Sequence, residues 1–330
     1  MDRRFLPLNA LLALCSNVRT GWPRPLFDAG YQLKGLEFPV SSDGERVVPD
    51  VVAWSSNEGH FFLGEAKSGN NLDEDQARRY ANVQPNVLVQ SLEVTVVTES
   101  PVNVDIIYAV LDEDERIERV LQGFEKCGLS FPVLAIGETQ VKRVSGTFKS
   151  PALEAALRNP ILVPGPPPGL ITIDADSEDS DFDRVVYTSL VAAMSRKLPA
   201  MTITALAGDA LPYFAHYPNG YQGQLKRRVS EAARRVADKT PDLFVFEPSS
   251  GTRNDPRILF VSSPEDLDPR GRTQKYQSLA ARFGAPERRR RTIVNENQLT
   301  FFDRGDLERE LAELDIEDDG DGEEVIYGPQ

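Results

Sequence analysis

Val48-Pro49-Asp50-Val51-Val52-Ala53-Trp54, answered after a short polar break by Phe61-Phe62-Leu63-Gly64-Glu65-Ala66-Lys67, is the stretch that decides the fold. Both runs are rich in β-branched and aromatic residues, and both are short for a helix. Ser56–Gly59 between them is polar and ends on glycine, and it reads as a four-residue hairpin loop. Pairing centred on that loop sets Asp50 directly opposite Glu65, and paired residues share a sheet face. Lys67, two residues beyond Glu65, falls on the same face. Val52, Trp54, Phe61 and Leu63 extend that face as apolar surface. Two carboxylates and an ammonium therefore meet at one end of a hairpin whose remainder is core.

Carboxylates that close repel each other, and partial burial raises the cost unless a cation joins them. Oxygen donors without imidazole or thiolate suit a hard cation such as Mg²⁺ or Mn²⁺. Such an ion lowers the pKa of a bound water and offsets charge on a phosphoryl group. Asp50, Glu65 and the Ala66 carbonyl are the expected ligands, and Lys67 is expected to orient or deprotonate the attacking water. The chemistry this describes is metal-assisted hydrolysis of a phosphodiester. His60 and His216 are the sole histidines, and Cys15 and Cys127 the sole cysteines. They leave little material for a zinc site, a histidine-dependent triad or a disulfide framework. A reducing, cytoplasmic setting fits that cysteine usage. His60 opens its strand on the opposite face and reads as a packing residue.

Working outward, Leu6–Arg19 reads as a helix packing on a sheet. Arg3-Arg4 before it gives a loose likeness to a signal peptide, against which stand Asp2, Asn9 and the size of Leu14. Gln32–Val40, Arg46–Trp54 and His60–Lys67 read as successive strands, and Leu72–Asn82 as a helix. Val102–Val110 is a further strand, Asp112–Lys126 a helix, and Phe131–Ile136 and Gln140–Val144 more strand. The order is α-β-β-β-α-β, then α-β. Within Glu74-Asp75-Gln76-Ala77-Arg78-Arg79-Tyr80, Gln76 and Tyr80 are one helical turn apart and share a face.

Pro49-Asp50, fourteen intervening residues, Glu65-Ala66-Lys67 and then Gln76-x-x-x-Tyr80 resembles the PD-(D/E)XK nuclease superfamily, in particular its RecB-type branch. The resemblance covers roughly residues 1–150 and implies a restriction-endonuclease-like αβββαβ core. It implies Asp50, Glu65 and Lys67 as catalytic residues, with Gln76 and Tyr80 supporting the site. It also implies a DNA substrate, in restriction, repair or defence against foreign DNA. One departure stands out. Many relatives carry an acidic residue in the first helix, whereas Leu6–Arg19 contains none and offers Asn9 and Asn17 instead. Asp28 and Glu37 are candidate substitutes, each read as a turn or surface residue. Pro241-Asp242 looks similar to the first motif, but no Glu-x-Lys follows it.

The chain of 330 residues fits about two domains at ~150 residues each. It is 40% hydrophobic, which is globular composition, and no apolar run approaches the ~20 residues of a membrane span. The net charge of −14 argues against a nucleic-acid partner only until its placement is considered. Asp303–Glu324 holds twelve acidic residues against Arg304 and Arg309, and Asp174–Asp183 holds six with no basic residue. Everything else is close to neutral. Pro164-Gly165-Pro166-Pro167-Pro168-Gly169 is helix-breaking, linker-like chemistry. The expected organisation is a nuclease-like domain over 1–150, a Pro/Gly-rich then acidic linker over 151–182, a basic domain over 183–302, and a disordered acidic tail over 303–330.

Phe182–Lys197, Thr202–Leu211 and Tyr221–Ala237 read as helices, and Leu243–Glu247 and Arg257–Ser262 as a hairpin. Three helices and a two-stranded wing resemble a winged helix-turn-helix. Leu225, Val229, Ala232 and Val236 form the apolar stripe of the third helix. Lys226, Arg227, Arg228, Arg234 and Arg235 lie largely off it and, with Arg253 in the wing, are expected to contact DNA phosphates. Arg288–Arg291 reads as a phosphate clamp or a tether. Taken together, the expectation is an α/β protein acting as a cytoplasmic, divalent-metal-dependent DNA endo- or exonuclease, with no membrane partner. Two-strand cleavage would call for a homodimer or partner protein. The alternative is a catalytically inactive nuclease-fold DNA-binding regulator or adaptor subunit of a larger complex. Without a P-loop, any ATP-driven step needs another protein.

Overall fold

A computed structural model of the chain describes residues 2–261, apart from 43, 70–71, 98–100, 197 and 250–254. The expectations placed on Arg253, on Arg288–Arg291 and on the acidic tail lie outside the described residues. The first helix, α1 (Leu6–Cys15), carries Pro7 in its first turn, where a missing N–H costs little. It ends before Arg19 because Ser16 turns extended and its hydroxyl accepts the Val18 N–H at 3.0 Å. After α2 (Pro25–Asp28) come β1 (Gln32–Leu36), a small hairpin of β2 (Val40–Ser42) and β3 (Glu45–Val47), then β4 (Val51–Ser55) and β5 (His60–Lys67). Next are α3 (Glu74–Ala81), α4 (Pro85–Ser91), β6 (Asn103–Leu111), α5 (Asp114–Cys127), β7 (Val133–Ile136), β8 (Gln140–Ser145), α6 (Pro151–Ala156) and β9 (Ile161–Leu162).

Seven of these strands form one mixed sheet in the order β1-β4-β5-β6-β7-β8-β9. The first three are antiparallel neighbours, β5, β6 and β7 are parallel, and β8 and β9 close the edge antiparallel. β4 and β5 pair from Val51↔Gly64 to Ser55↔His60, the register that a loop over Ser56–Gly59 imposes. β4 is buried along its whole length because helices cover both faces of the sheet. On one face α1 packs against Val51, Ala53, Phe62, Ile107 and Ala109. Gly64 permits that contact, since a Cβ there would stand 2.9 Å from Leu11 Cδ1. On the other face Val52, Trp54, Phe61 and Leu63 meet Ala77 and Tyr80 of α3, with Val120 and Phe124 of α5.

The second half holds α7 (Asp179–Ser195), β10 (Ala200–Thr202), α8 (Ile203–Ala210), α9 (Asn219–Lys239), β11 (Phe244–Glu247) and β12 (Arg257–Phe260). Thr202 caps α8 by accepting the Ala205 N–H at 3.2 Å, and Leu225, Val229, Ala232 and Val236 of α9 are buried as the apolar stripe requires. β10 completes a three-stranded sheet ordered β10-β12-β11.

The Pro/Gly-rich then acidic linker expected over 151–182 holds regular structure and packs on the first half. α6 and β9 lie within it, and β9 joins the main sheet. Trp22 Nε1 lies 3.1 Å from both the Gly165 and Pro166 carbonyls, to which it donates. The Asn9 amide bonds both polar groups of the Ile171 backbone, at 2.8 and 2.7 Å. Proline and glycine leave backbone carbonyls unpaired within their own segment, and here side chains of the first 22 residues take them up. Ile171 and Ile173 then share one apolar core with α1 and with α7, α8 and α9. Among the described residues no helix is long and apolar enough to cross a membrane.

Candidate active site

Asp50 stands one residue before β4, where the strand ladder has ended. Its side chain turns toward β5 and its Oδ2 accepts the Ala66 N–H at 2.5 Å. Ala66 thus enters the site through its N–H. Glu65 is 5% exposed and heavily engaged. Tyr80 donates to its Oε2 at 2.6 Å, and Gln76 Nε2 to its Oε1 at 3.1 Å. Lys67 Nζ lies 2.8 Å from the same Oε1 and donates to Gln76 Oε1 at 2.9 Å.

The α3 helix makes this possible. Asp73 caps it by accepting the Gln76 N–H at 2.9 Å, which fixes the first turn against the end of β5. Gln76 and Tyr80, one turn apart, then both reach Glu65. All five residues expected at the catalytic and supporting positions, Asp50, Glu65, Lys67, Gln76 and Tyr80, come together at the end of β4 and β5.

A sixth residue joins them. Glu37, at the end of β1, has φ 46°, a left-handed conformation uncommon outside glycine. Its N–H donates to the Asp50 carbonyl at 3.2 Å, and the Phe38 N–H to the Pro49 carbonyl at 3.3 Å. Its carboxyl hydrogen-bonds the Asp50 side chain. Sequence reasoning had placed Glu37 in a turn or on the surface. Nothing in Gly35-Leu36-Glu37-Phe38-Pro39 announces a positive φ, and the position is set by pairing with Pro49-Asp50.

The electrostatics are those of crowded negative charge. Burial pushes the Asp50 carboxyl well above the usual carboxylate range, and the charges of Glu65 and Glu37 push the same way. The Ala66 N–H and Lys67 oppose them. Glu37 is raised to about 7, first by burial and then by Glu65, with Asp174 adding to it and the Asp50 hydrogen bond opposing. Burial and Glu65 hold the Tyr80 phenol protonated far above its ordinary range, so it acts as a donor. Tyr108, opposite Glu65 in the β5–β6 ladder, is raised by the same two causes. Its hydroxyl is buried and has no hydrogen-bond partner.

The donors around Asp50 are carboxylate oxygens, with Lys67 the cation among the groups that act on it. That set fits a hard divalent ion. Among the described residues no three His, Cys, Asp or Glu side chains are already drawn together as a metal cage. In the arrangement seen, Glu65 is held by protein donors and Glu37 by Asp50.

His60 lies on the opposite face, as expected. Its Nδ1 is 3.1 Å from Tyr31 Oη and its Nε2 3.3 Å from Asp105 Oδ2, in a buried cluster with Ser150. The expected DNA-contacting residues are placed very differently from a free basic face. Arg228 donates to the Ala175 and Ser177 carbonyls at 2.6 Å each and pairs with Asp179 at 3.0 Å. Arg235 pairs with Asp183 at 2.8 Å and Asp179 at 3.3 Å. Lys226 pairs with Asp255 at 2.6 Å, and the Arg234 guanidinium lies 5.0 Å from the Phe246 ring centre. Arg227 is exposed. The second half of the acidic run therefore opens α7, where Asp179 and Asp183 are counter-charges of Arg228, Arg235 and Lys239 on α9, while Asp174 ahead of the helix pairs with Arg4; an acidic linker had been expected there.

Comparison with known proteins adds one match. Residues 6–155 match the model of the MJECL32 domain. The match spans the sheet from β1 to β8 and includes Glu37, Asp50, Glu65, Lys67, Gln76 and Tyr80. It leaves α7, α8 and α9 outside. No curated protein and no solved structure matches the chain.

Proposed function

We propose that the chain is a divalent-cation-dependent nuclease, a hydrolase of DNA phosphodiester bonds of the PD-(D/E)XK kind. The observation that carries this reading is the convergence of Asp50, Glu65 and Lys67 with Gln76 and Tyr80 at one end of the β4–β5 hairpin. With the short α2, the β2–β3 hairpin and α4 set aside as insertions, the order α1, β1, β4, β5, α3, β6, with β5 and β6 parallel, supports an αβββαβ reading. Mg²⁺ or Mn²⁺ held by Asp50 and Glu65 would supply Lewis-acid chemistry at the phosphoryl group. Tyr80 and Gln76 hold Glu65 in one orientation, and Gln76 holds the Lys67 ammonium beside it. Lys67 is then placed to steer a water or to meet charge developing on a phosphate oxygen.

The second half supports DNA as the substrate through its order of elements. Helix, strand, two helices and a hairpin, with the small sheet ordered β10-β12-β11, resembles a winged helix. Its contribution to affinity would come from Arg227, Arg234 and residues beyond the described ones, because Arg228 and Arg235 are engaged by α7.

A second reading is an inactive nuclease-like regulator or adaptor. It is favoured by one observation: Asn9, the polar side chain of α1, is occupied by the Ile171 backbone, so the first helix offers the site nothing. Incubating supercoiled plasmid with the protein and Mg²⁺ or Mn²⁺ separates the readings. Nuclease function predicts cleavage that falls by about 10²-fold or more in Asp50→Ala and Lys67→Ala. Equal nicking by wild type and both variants would mean a contaminant and would remove the assignment. A regulator would bind DNA without cutting it, with affinity falling as salt rises.

A further inference from the structure

Beside Lys67, two arginines from distant parts of the chain converge on one carboxylate. We propose that Arg116 and Arg3 form a clamp for a DNA backbone phosphate flanking the one cleaved, with Glu113 occupying the clamp until DNA arrives. This rests on the nuclease reading and adds to it two residues, one on α5 and one ahead of α1, that none of its motifs contains.

Three observations lead to the clamp. First, it stands next to Lys67. β5, β6 and β7 are parallel neighbours, Lys67 ends β5, and its partner in the ladder is Val110, close to the end of β6. Glu113 lies just beyond that end, and Arg116 is in the first turn of α5. Arg116 Nη1 donates to the carbonyl of Ser68, the residue after Lys67. In open α/β sheets the carboxyl ends of parallel strands are where ligands bind.

Second, Arg116 is a fixed guanidinium with a donor unused. Its side chain is 13% exposed, and Glu113 Oε2 meets Nη2 at 3.1 Å. Nε, on the same edge of the guanidinium, is buried and has no partner. An arginine edge takes a phosphate through two parallel N–H bonds, and a buried donor left unpaired is costly. Glu113, three residues away on the same backbone, fills half of that edge. A phosphate oxygen pair brought in by a separate chain can fill all of it.

Third, Arg3 adds a second cation. Its Nη2 lies 2.6 Å from Glu113 Oε1, while its side chain is 74% exposed and open to a strand passing the site. Two neighbouring acids have partners of their own, Glu115 in Arg119 and Asp112 in Lys142, the latter at 3.0 Å. Contacts of this kind hold a strand in position without reading its sequence.

Fluorescence anisotropy tests the clamp, with full-length protein titrated into a fluorescein-labelled duplex bearing a single-stranded overhang, in chelator so that nothing is cut, over a range of salt. Arg3→Ala and Arg116→Ala should each weaken binding and lower the slope of log Kd against log salt by about one. Glu113→Gln should tighten binding by about threefold or more, because the competing carboxylate loses its charge. A Glu113 with only a structural role would give no such gain. A wild-type slope in either arginine variant, Glu113→Gln binding no tighter than wild type, or a wild type without affinity for the duplex overturns the clamp. Weak binding by Arg116→Ala does not rescue it from the other two results, since that variant also frees the Ser68 carbonyl. The nuclease reading is judged separately, by Asp50-dependent plasmid cleavage, and stands wherever that cleavage is seen.

Discussion

The working parts of the site are set one residue at a time, and Glu65 shows how. Its two oxygens accept from a phenol, an amide and an ammonium, all from residues within the 65–80 segment. Tyr80→Phe removes one charge-assisted bond and leaves a buried carboxylate oxygen short of a donor. The expected loss is about 1–3 kcal/mol in urea denaturation, and the proposed nuclease function predicts reduced cleavage too, because Glu65 is freed. Unchanged stability would mean that Glu65 has another donor in solution. The Glu37–Asp50 pair makes a second prediction. Glu37 rises from its ordinary 4.5 to about 7 in the folded chain, and Asp50 moves the same way. Below about pH 4.5 both states of the chain hold the Glu37 proton, and the folded state loses nothing. As the pH climbs toward 7 the unfolded chain ionises first, so stability falls across that window. Chelator-treated protein should therefore show a falling Tm between about pH 4.5 and 7, with a shallower slope in Glu37→Gln.

Elements differ in how far the chain announces them. The β4–β5 hairpin was legible because its loop is symmetric between two apolar runs, and that symmetry alone fixes the register. α3 was legible from its run of Glu, Asp, Gln and Arg, α8 from a threonine cap, and α7 and α9 from apolar residues at helical intervals. β9 and β10, of two and three residues, were not, because strands that short exist through the neighbour they pair with. Glu37 was hidden for the same reason: its place depends on β1 pairing with β4 and on a backbone angle that a glutamate does not advertise. Packing between elements gives a third test. Gly64 lets α1 lie directly on β5, so Gly64→Ala should overpack the Leu11 contact and cost about 1–3 kcal/mol. Full stability in that variant would show that α1 can move away from the sheet.

At the scale of the whole molecule, charge and connectivity were the features that composition described least well. Sign counts located an acidic run and a basic helix, but they could not say that one is the counter-ion of the other. Asp183, with its side chain 13% exposed, faces both Arg235 and Lys239. Asp183→Asn should destabilise the chain by about 1 kcal/mol, as expected when a mostly buried carboxylate shared by two cations loses its charge. The same packing joins the two halves. α1, the 161–173 segment and α7, α8 and α9 share one apolar core, so the described residues should unfold together. Differential scanning calorimetry should show a single cooperative transition for them, where a sheet domain and a helical domain on a free linker would give two.

The central proposal is that the end of the β4–β5 hairpin is a divalent-cation site held by Asp50 and Glu65. A crystal of the full-length protein soaked in Mn²⁺ tests it most directly, because anomalous scattering locates the ion without reference to activity. An anomalous peak bounded by the Asp50 and Glu65 carboxylates is the predicted result. Mn²⁺ bound elsewhere, or a site left empty, would contradict it.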